Sequence, residues 1–157
     1  MRNKVWLVII FIGFACSNDS KLLQQANQIS HAVKLQIAPD SREAIFNPAF
    51  SINKDNGLVV SGETSLSDAK LALFSALEAL EVHLVDSLVV LPEKKLGDKT
   101  WGVINLSVVN LRAYPKHSAE LVSQSIMGTP VRRLKEDNGW YQIQNPDKYI
   151  AWVDGAA

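Results

Sequence analysis

The chain has 157 residues, 47% hydrophobic and 20% charged, enough for one ordinary domain or two small ones and too apolar for a disordered segment. Its 16 basic and 16 acidic residues cancel, and Arg132-Arg133 is the only doublet of arginines, so a nucleic-acid partner has no electrostatic footprint here. The one cysteine, Cys16, excludes an intramolecular disulfide, and no repeat of solenoid length or low-complexity tract stands out.

The N-terminus reads as an address. Arg2 and Lys4 flank the start of the apolar run Val5–Phe14. That run is too short to span a bilayer, which takes about 20 apolar residues, and it has the form of a secretory signal. It ends in Gly13-Phe14-Ala15-Cys16, and a small residue directly before a cysteine resembles the lipobox of bacterial lipoproteins. The resemblance implies cleavage after residue 15 and acylation of Cys16, with Gly13 standing where the family usually has leucine. The polar Ser17-Asn18-Asp19-Ser20 suits a tether over residues 16–21, and as a short acidic-polar tract it also resembles the surface-export signals of Bacteroidetes lipoproteins. More than one acyl chain would be needed for stable anchoring.

Residues 22–91 read as a small domain in the order helix, strand, strand, helix, strand. Leu22, Ala26, Ile29, Val33 and Ile37 recur at helical spacing, and Pro39 ends that helix. Ala44–Ile52 reads as a weak strand interrupted at Asn47-Pro48, and Lys54-Asp55-Asn56-Gly57 as a hairpin turn into the return strand Leu58–Gly62. Ser65 or Ser67 is expected to cap a second helix whose buried face is Leu73, Ala76, Leu77 and Leu80. A third strand, Leu84–Leu91, closes at Pro92. The phrase Gly57-Leu58-Val59-Val60-Ser61-Gly62-Glu63-Thr64, the helix after it and Val85-Asp86-Ser87-Leu88-Val89-Val90 together resemble the BON domain of bacterial envelope proteins. That resemblance implies a non-catalytic lipid- or partner-binding module.

Catalytic and metal motifs in this half give way to plainer readings. Ser67-Asp68-Ala69-Lys70 fits the S-x-x-K spacing of serine acyl-enzymes, but Lys99-Thr100 is followed by Trp101 rather than by the glycine of the companion motif. His31 and His83 lack partners at metal-ligand spacing, and Glu78 and Glu81 read as a solvated helix face. No metal site and no cofactor are expected. Residues 92–100, charged and without periodicity, are a linker short enough for the flanking domains to pack.

Residues 101–157 read as a small β-barrel. Val103–Arg112 alternates as a strand pair or one long bent strand, Pro115–Ser118 is a loop, and Ala119–Met127 is a mixed stretch ended by a turn at Gly128. Val131–Leu134, Trp140–Gln144 and Tyr149–Val153 are short strands separated by the turns Glu136–Gly139 and Asn145–Lys148. The words Asn110-Leu111-Arg112, Gly128-Thr129-Pro130-Val131, Asn138-Gly139-Trp140-Tyr141 and Tyr149-Ile150-Ala151-Trp152-Val153 resemble, in that order, the bacterial SH3 domain. Ala151 stands where the last word usually has glycine.

His117-Ser118-Ala119-Glu120-Leu121-Val122 and Trp152-Val153-Asp154-Gly155 are similar to the SH3 region in front of the catalytic domain of NlpC-type cysteine peptidases, which cut cell-wall peptides between γ-D-glutamate and the diamino acid. The region upstream is similar to their N-terminal part. The resemblance implies that an acidic residue and a tyrosine, best matched by Glu120 and Tyr149, help to hold the free amine of the peptide's first L-alanine. A carboxylate attracts an ammonium, and a phenol adds a hydrogen bond and a wall. Tyr114 and Tyr141 would stack on a peptide, Arg112 would pair a carboxylate in bidentate fashion, and Trp140 would support the rim. The peptidase itself would follow Gly155 and needs a cysteine nucleophile, whereas Cys16 lies in the signal.

The expectation is therefore an α+β protein, a small helix-strand-strand-helix-strand domain followed by a bacterial SH3-like β-barrel, not an enzyme as it stands. Its expected role is that of a cell-envelope lipoprotein of the outer membrane, periplasmic or surface-exposed, that binds peptidoglycan stem peptide and touches the membrane through its lipid anchor. The alternatives are the recognition half of a split NlpC-type endopeptidase, and a general adaptor that docks a protein partner in the envelope.

Overall fold

The computed structural model describes residues 15–157. The expected signal peptide and the Cys16 side chain lie outside what is described. Two helices and two sheets make up an α+β architecture. No helix among the described residues is long and apolar enough to cross a membrane.

The first sheet is built by residues up to 90. Helix α1 spans Ala15–Ile37, uninterrupted by proline or glycine, so the polar stretch expected as a tether lies in its first turns. Of its apolar stripe, Ala26 and Val33 are buried against a core of Phe46, Leu58, Val60, Leu73 and Leu77. Strands β1 (Phe46–Ile52) and β2 (Leu58–Thr64) pair antiparallel throughout. The expected break at Asn47-Pro48 does not occur. Strand β1 is an edge strand, where a proline's missing N–H costs no ladder bond, and Pro48 faces Gly62. Gly62 has φ +99°, and a Cβ there would lie 2.1 Å from the Asn47 carbonyl oxygen, so this crossing admits only glycine. The hairpin turn forms as expected. Asn56 takes the positive φ (58°), and Asn53 Oδ1 accepts the N–H groups of Asp55 and Gly57.

Helix α2 (Ser67–Leu77) starts where expected but without the expected serine cap: Leu66 is its N-cap residue and makes no side-chain bond. The hydroxyls near it serve another purpose. Ser65 Oγ accepts the Ile45 N–H, and Thr64 Oγ1 donates to the Ile45 carbonyl, which pins the entry to β1. The expected third strand is two short ones, β3 (Leu84–Asp86) and β4 (Val89–Val90), both parallel to β2. Asp86 Oδ1 accepts the Leu88 N–H and bends the chain between them. Lys70, the lysine of the S-x-x-K word, is held by Asp86 at 2.8 Å and by the Leu88 carbonyl at 2.7 Å.

The second sheet takes its strands in the order β5 (Trp101–Val103), β8 (Pro130–Asp137), β9 (Trp140–Gln144), β10 (Ile150–Asp154), β6 (Val108–Arg112) and β7 (Leu121–Ile126). The mixed stretch after residue 119 is thus the strand β7, and Val103–Arg112 is two strands that pair with different neighbours. The β8–β9 turn has two positive φ angles, Asn138 (47°) and Gly139 (82°), as a tight hairpin with right-handed twist requires. The ladder runs from β5 to β7 as an open path, not the closed barrel expected. The sheet instead curls around shared side chains: Val109, Leu111, Val131, Ile143, Ala151 and Val153 form one core.

The two halves are docked. Ile45 and Leu91 of the first share a small core with Leu134 and Ile150 of the second. The Ile150 N–H donates to the Arg42 carbonyl (2.7 Å), and the Glu93 N–H donates to the Leu134 carbonyl (2.8 Å). Lys135 Nζ reaches both carboxylate oxygens of Glu63, at 2.7 and 2.8 Å, and sits 5.7 Å from the ring centre of Trp152. The linker contributes a short turn, Lys94–Leu96, with Leu96 buried. The first domain therefore covers part of the second sheet's outer face and leaves the rest open.

Candidate functional site

Strand alternation decides what the outer face displays. In β10, Ala151 and Val153 point into the core, so Trp152 and Asp154 point outward. In β9, Ile143 points inward and Trp140, which faces Asp154 across the ladder, points outward. In β6, Val109 and Leu111 point inward, and Val108, Asn110 and Arg112 outward. At the end away from the docked domain the outward residues Val108, Asn110, Arg112, Trp140 and Asp154 line a cleft of 260 Å³ between β6 and the end of β10. Val108, Leu106 and Trp140 supply apolar surface, while Arg112, Asn110 and Asp154 supply charge and hydrogen-bonding groups.

The loop between β6 and β7 folds back over this cleft. Arg112 Nη1 donates to the Ala119 carbonyl (2.9 Å), which fixes both the loop and the guanidinium and leaves the other guanidinium donors unassigned. His117 then lies edge-on to Trp140, ring centres 5.0 Å apart at 64°. Its Nε2 is 3.4 Å from Asp154 Oδ2, while Asp154 Oδ1 accepts the Ala156 N–H at 2.8 Å. Gln124 Nε2 donates to Asn110 Oδ1 (3.0 Å), so the Asn110 NH2 is turned to the open side. A guanidinium and a carboxylate thus share one small cleft floored by an indole. Such a site offers a partner to both signs of a zwitterion, with few side chains left to order.

The residues singled out from sequence are distributed around this arrangement. Arg112 and Trp140 line the cleft. Tyr141 points to the opposite side, where the Arg133 guanidinium lies 3.8 Å from its ring centre. Glu120 is exposed at the end of the β6–β7 loop, its carbonyl accepting the Ala113 N–H. Tyr149 is half-buried against the inner core in the β9–β10 loop, and Tyr114 is 65% exposed. Glu120, Tyr149 and Tyr114 are not among the residues that line the cleft. Two cleft residues, His117 and Asp154, were not singled out as binding groups. Their pairing depends on a loop folding back and on the Trp140–Asp154 register, neither of which has a local sequence signal. No group of three metal-ligating side chains occurs among the described residues.

Residues 107–157 match the bacterial SH3 domain family, which takes in β6 to β10 and every residue of the cleft except Leu106. No curated protein matches the chain.

Proposed function

From the bacterial SH3 domain at residues 107–157, we propose that this protein is a cell-envelope lipoprotein, anchored through Cys16, that binds the stem peptide of peptidoglycan and does not cut it. Bacterial SH3 domains often bind cell-wall components and are commonly extracytoplasmic. The observation that carries the reading is the cleft that sets Arg112 against Asp154 over Trp140 within that domain. A stem peptide carries free carboxylates from its γ-linked D-glutamate and its diamino acid, and a free amine on the diamino acid. Arg112 takes a carboxylate, Asp154 the amine, and Trp140 with Val108 packs on the aliphatic stem between them. The non-catalytic reading is supported by the cysteine count: an NlpC-type reaction needs a cysteine nucleophile, and the one cysteine in the sequence is Cys16, the expected anchor. Glu120 and Tyr149, which do not line the cleft, would belong to a second contact.

Calorimetric titration with L-Ala-γ-D-Glu-diamino acid peptide tests the site. Arg112→Ala should weaken binding by roughly tenfold or more, the effect of losing a charge-assisted hydrogen bond. Arg132→Ala, outside the cleft, should leave it unchanged. Equal affinity in the Arg112 variant would sink the assignment. Palmitate labelling that persists in Cys16→Ala would remove the anchor, and peptide fragments in the titrated sample would remove the non-catalytic reading.

A further inference from the structure

A second groove lies at the other end of β9, where β5 meets the β9–β10 loop. It measures 510 Å³ and is lined by Trp101, Pro130, Arg132, Pro146, Lys148 and the amides of Gln144 and Asn145. Trp101 is 66% exposed and stands directly across the ladder from Arg132. An indole left that open on an edge strand stabilises nothing by its exposure, since its area is not withdrawn from water.

The charges of the groove are one-sided. The cations of the ion pairs among the described residues are Arg42, Lys70, Lys95, His117 and Lys135. Arg132 and Lys148 take part in none, and no acidic residue lines the groove. The walls are already fixed. Gln144 Nε2 donates to the Lys148 carbonyl (3.0 Å) and to the Glu43 carbonyl (2.8 Å), tying the loop to the docked first domain. Asn145 Oδ1 accepts the Ser125 hydroxyl, and the Lys148 N–H donates to the Asn145 carbonyl. A groove with two unpaired cations, fixed amides and an open indole presents a complete complement to an anion joined to a flat apolar face.

We infer that this groove binds an acidic sugar, one pyranose ring stacked on Trp101 and its carboxylate or phosphate held between Arg132 and Lys148. The faces of a pyranose carry C–H groups that pack on an indole, and its hydroxyls suit the Gln144 and Asn145 amides. The guanidinium pairs carboxylate or phosphate in bidentate fashion, and the ammonium adds a point charge. A peptide added as a strand fits less well, because the edge strand β5 offers only three residues to pair with. The site is independent of the stem-peptide cleft, since the two share no lining residue.

The test uses the full chain, the indole N–H signal of Trp101 and four probes: a galacturonic acid hexamer, a phosphorylated mannose hexamer, neutral cellohexaose and hexaglutamate. At least one anionic sugar should shift the Trp101 signal in a saturable, salt-sensitive way, and which one does so distinguishes carboxylate from phosphate. Trp101→Ala should abolish binding with an unchanged urea midpoint. Arg132→Gln with Lys148→Gln should weaken it by roughly tenfold or more, as expected for lost charge-assisted bonds. Arg112→Ala should leave it unchanged, which separates this outcome from the fate of the stem-peptide reading. Cellohexaose binding as tightly as the acidic sugars would overturn the inference. So would hexaglutamate binding more tightly than either, or neither acidic sugar moving the Trp101 signal at millimolar concentration.

Discussion

Leu134→Ala tests whether the two domains are one folding unit. Leu134 lies on β8 and is fully buried, in contact with Ile45 and Leu91 of the first domain and Ile150 of the second. Truncation removes three carbons, which at about 0.8 kcal/mol each gives about 2.4 kcal/mol of transfer free energy. The cavity left between docked surfaces raises the cost to about 3 kcal/mol, within the range of about 2–5 kcal/mol for buried Leu→Ala changes. That is a large share of the total stability of a small protein, typically about 5–15 kcal/mol. Urea unfolding followed by two probes reads the result. Fluorescence of Trp101, Trp140 and Trp152 reports the second domain, and far-UV circular dichroism reports α1 and α2 of the first. The unaltered protein should give coincident transitions, because breaking either domain breaks the shared core. The Leu134 variant should unfold earlier, with the two probes separating. A loss below about 0.5 kcal/mol, the ordinary scale of a surface position, or separate transitions in the unaltered protein, would refute the docked arrangement.

Other positions give independent readings. Gly62→Ala combines a positive φ with a Cβ 2.1 Å from a backbone oxygen, whereas Gly139→Ala meets a positive φ in open space. The first should cost at least about 2 kcal/mol and the second about 1 kcal/mol by chemical denaturation, and equal costs would contradict the β1–β2 crossing. Asp40 is held below its ordinary value of 3.8, to about 2, by hydrogen bonds from the Arg42 side chain and backbone. A depressed carboxyl pKa stabilises the fold above pH 3.8, and the contribution fades as pH falls towards 2. An NMR titration should find the Asp40 midpoint near 2 at low salt, moving upward as salt screens this exposed pair. A midpoint of 3.8 at low salt would show that the Arg42 contact does not form in solution.

Much of the fold was legible because its signals are local. The α1 stripe, the Asn56-Gly57 and Asn138-Gly139 turns and the helix-strand-strand-helix start of the first domain need only neighbouring residues to be read. The misreadings share a cause: a partner distant in sequence decided the outcome. Pro48 stays in its strand because Gly62 faces it, and Ser65 leaves the helix cap because the Ile45 N–H competes for its oxygen. The barrel expected from strand spacing is an open, curled sheet because side-chain packing, rather than a final ladder, brings its ends round. Within the cleft, all four of Arg112, His117, Trp140 and Asp154 stand in short family words, but only Arg112 and Trp140 were given a binding role from them. His117 and Asp154 join them through a loop fold and a strand register.

The most direct test of the account is an amide and side-chain NMR titration with L-Ala-γ-D-Glu-diamino acid peptide. The account predicts saturable shifts of the Trp140 indole N–H, the Arg112 guanidinium N–H and the His117 ring, with little change at Trp101 or in the first domain. Shifts confined to Glu120 and Tyr149 would move the binding site out of the cleft, and no shift at millimolar peptide would contradict the account.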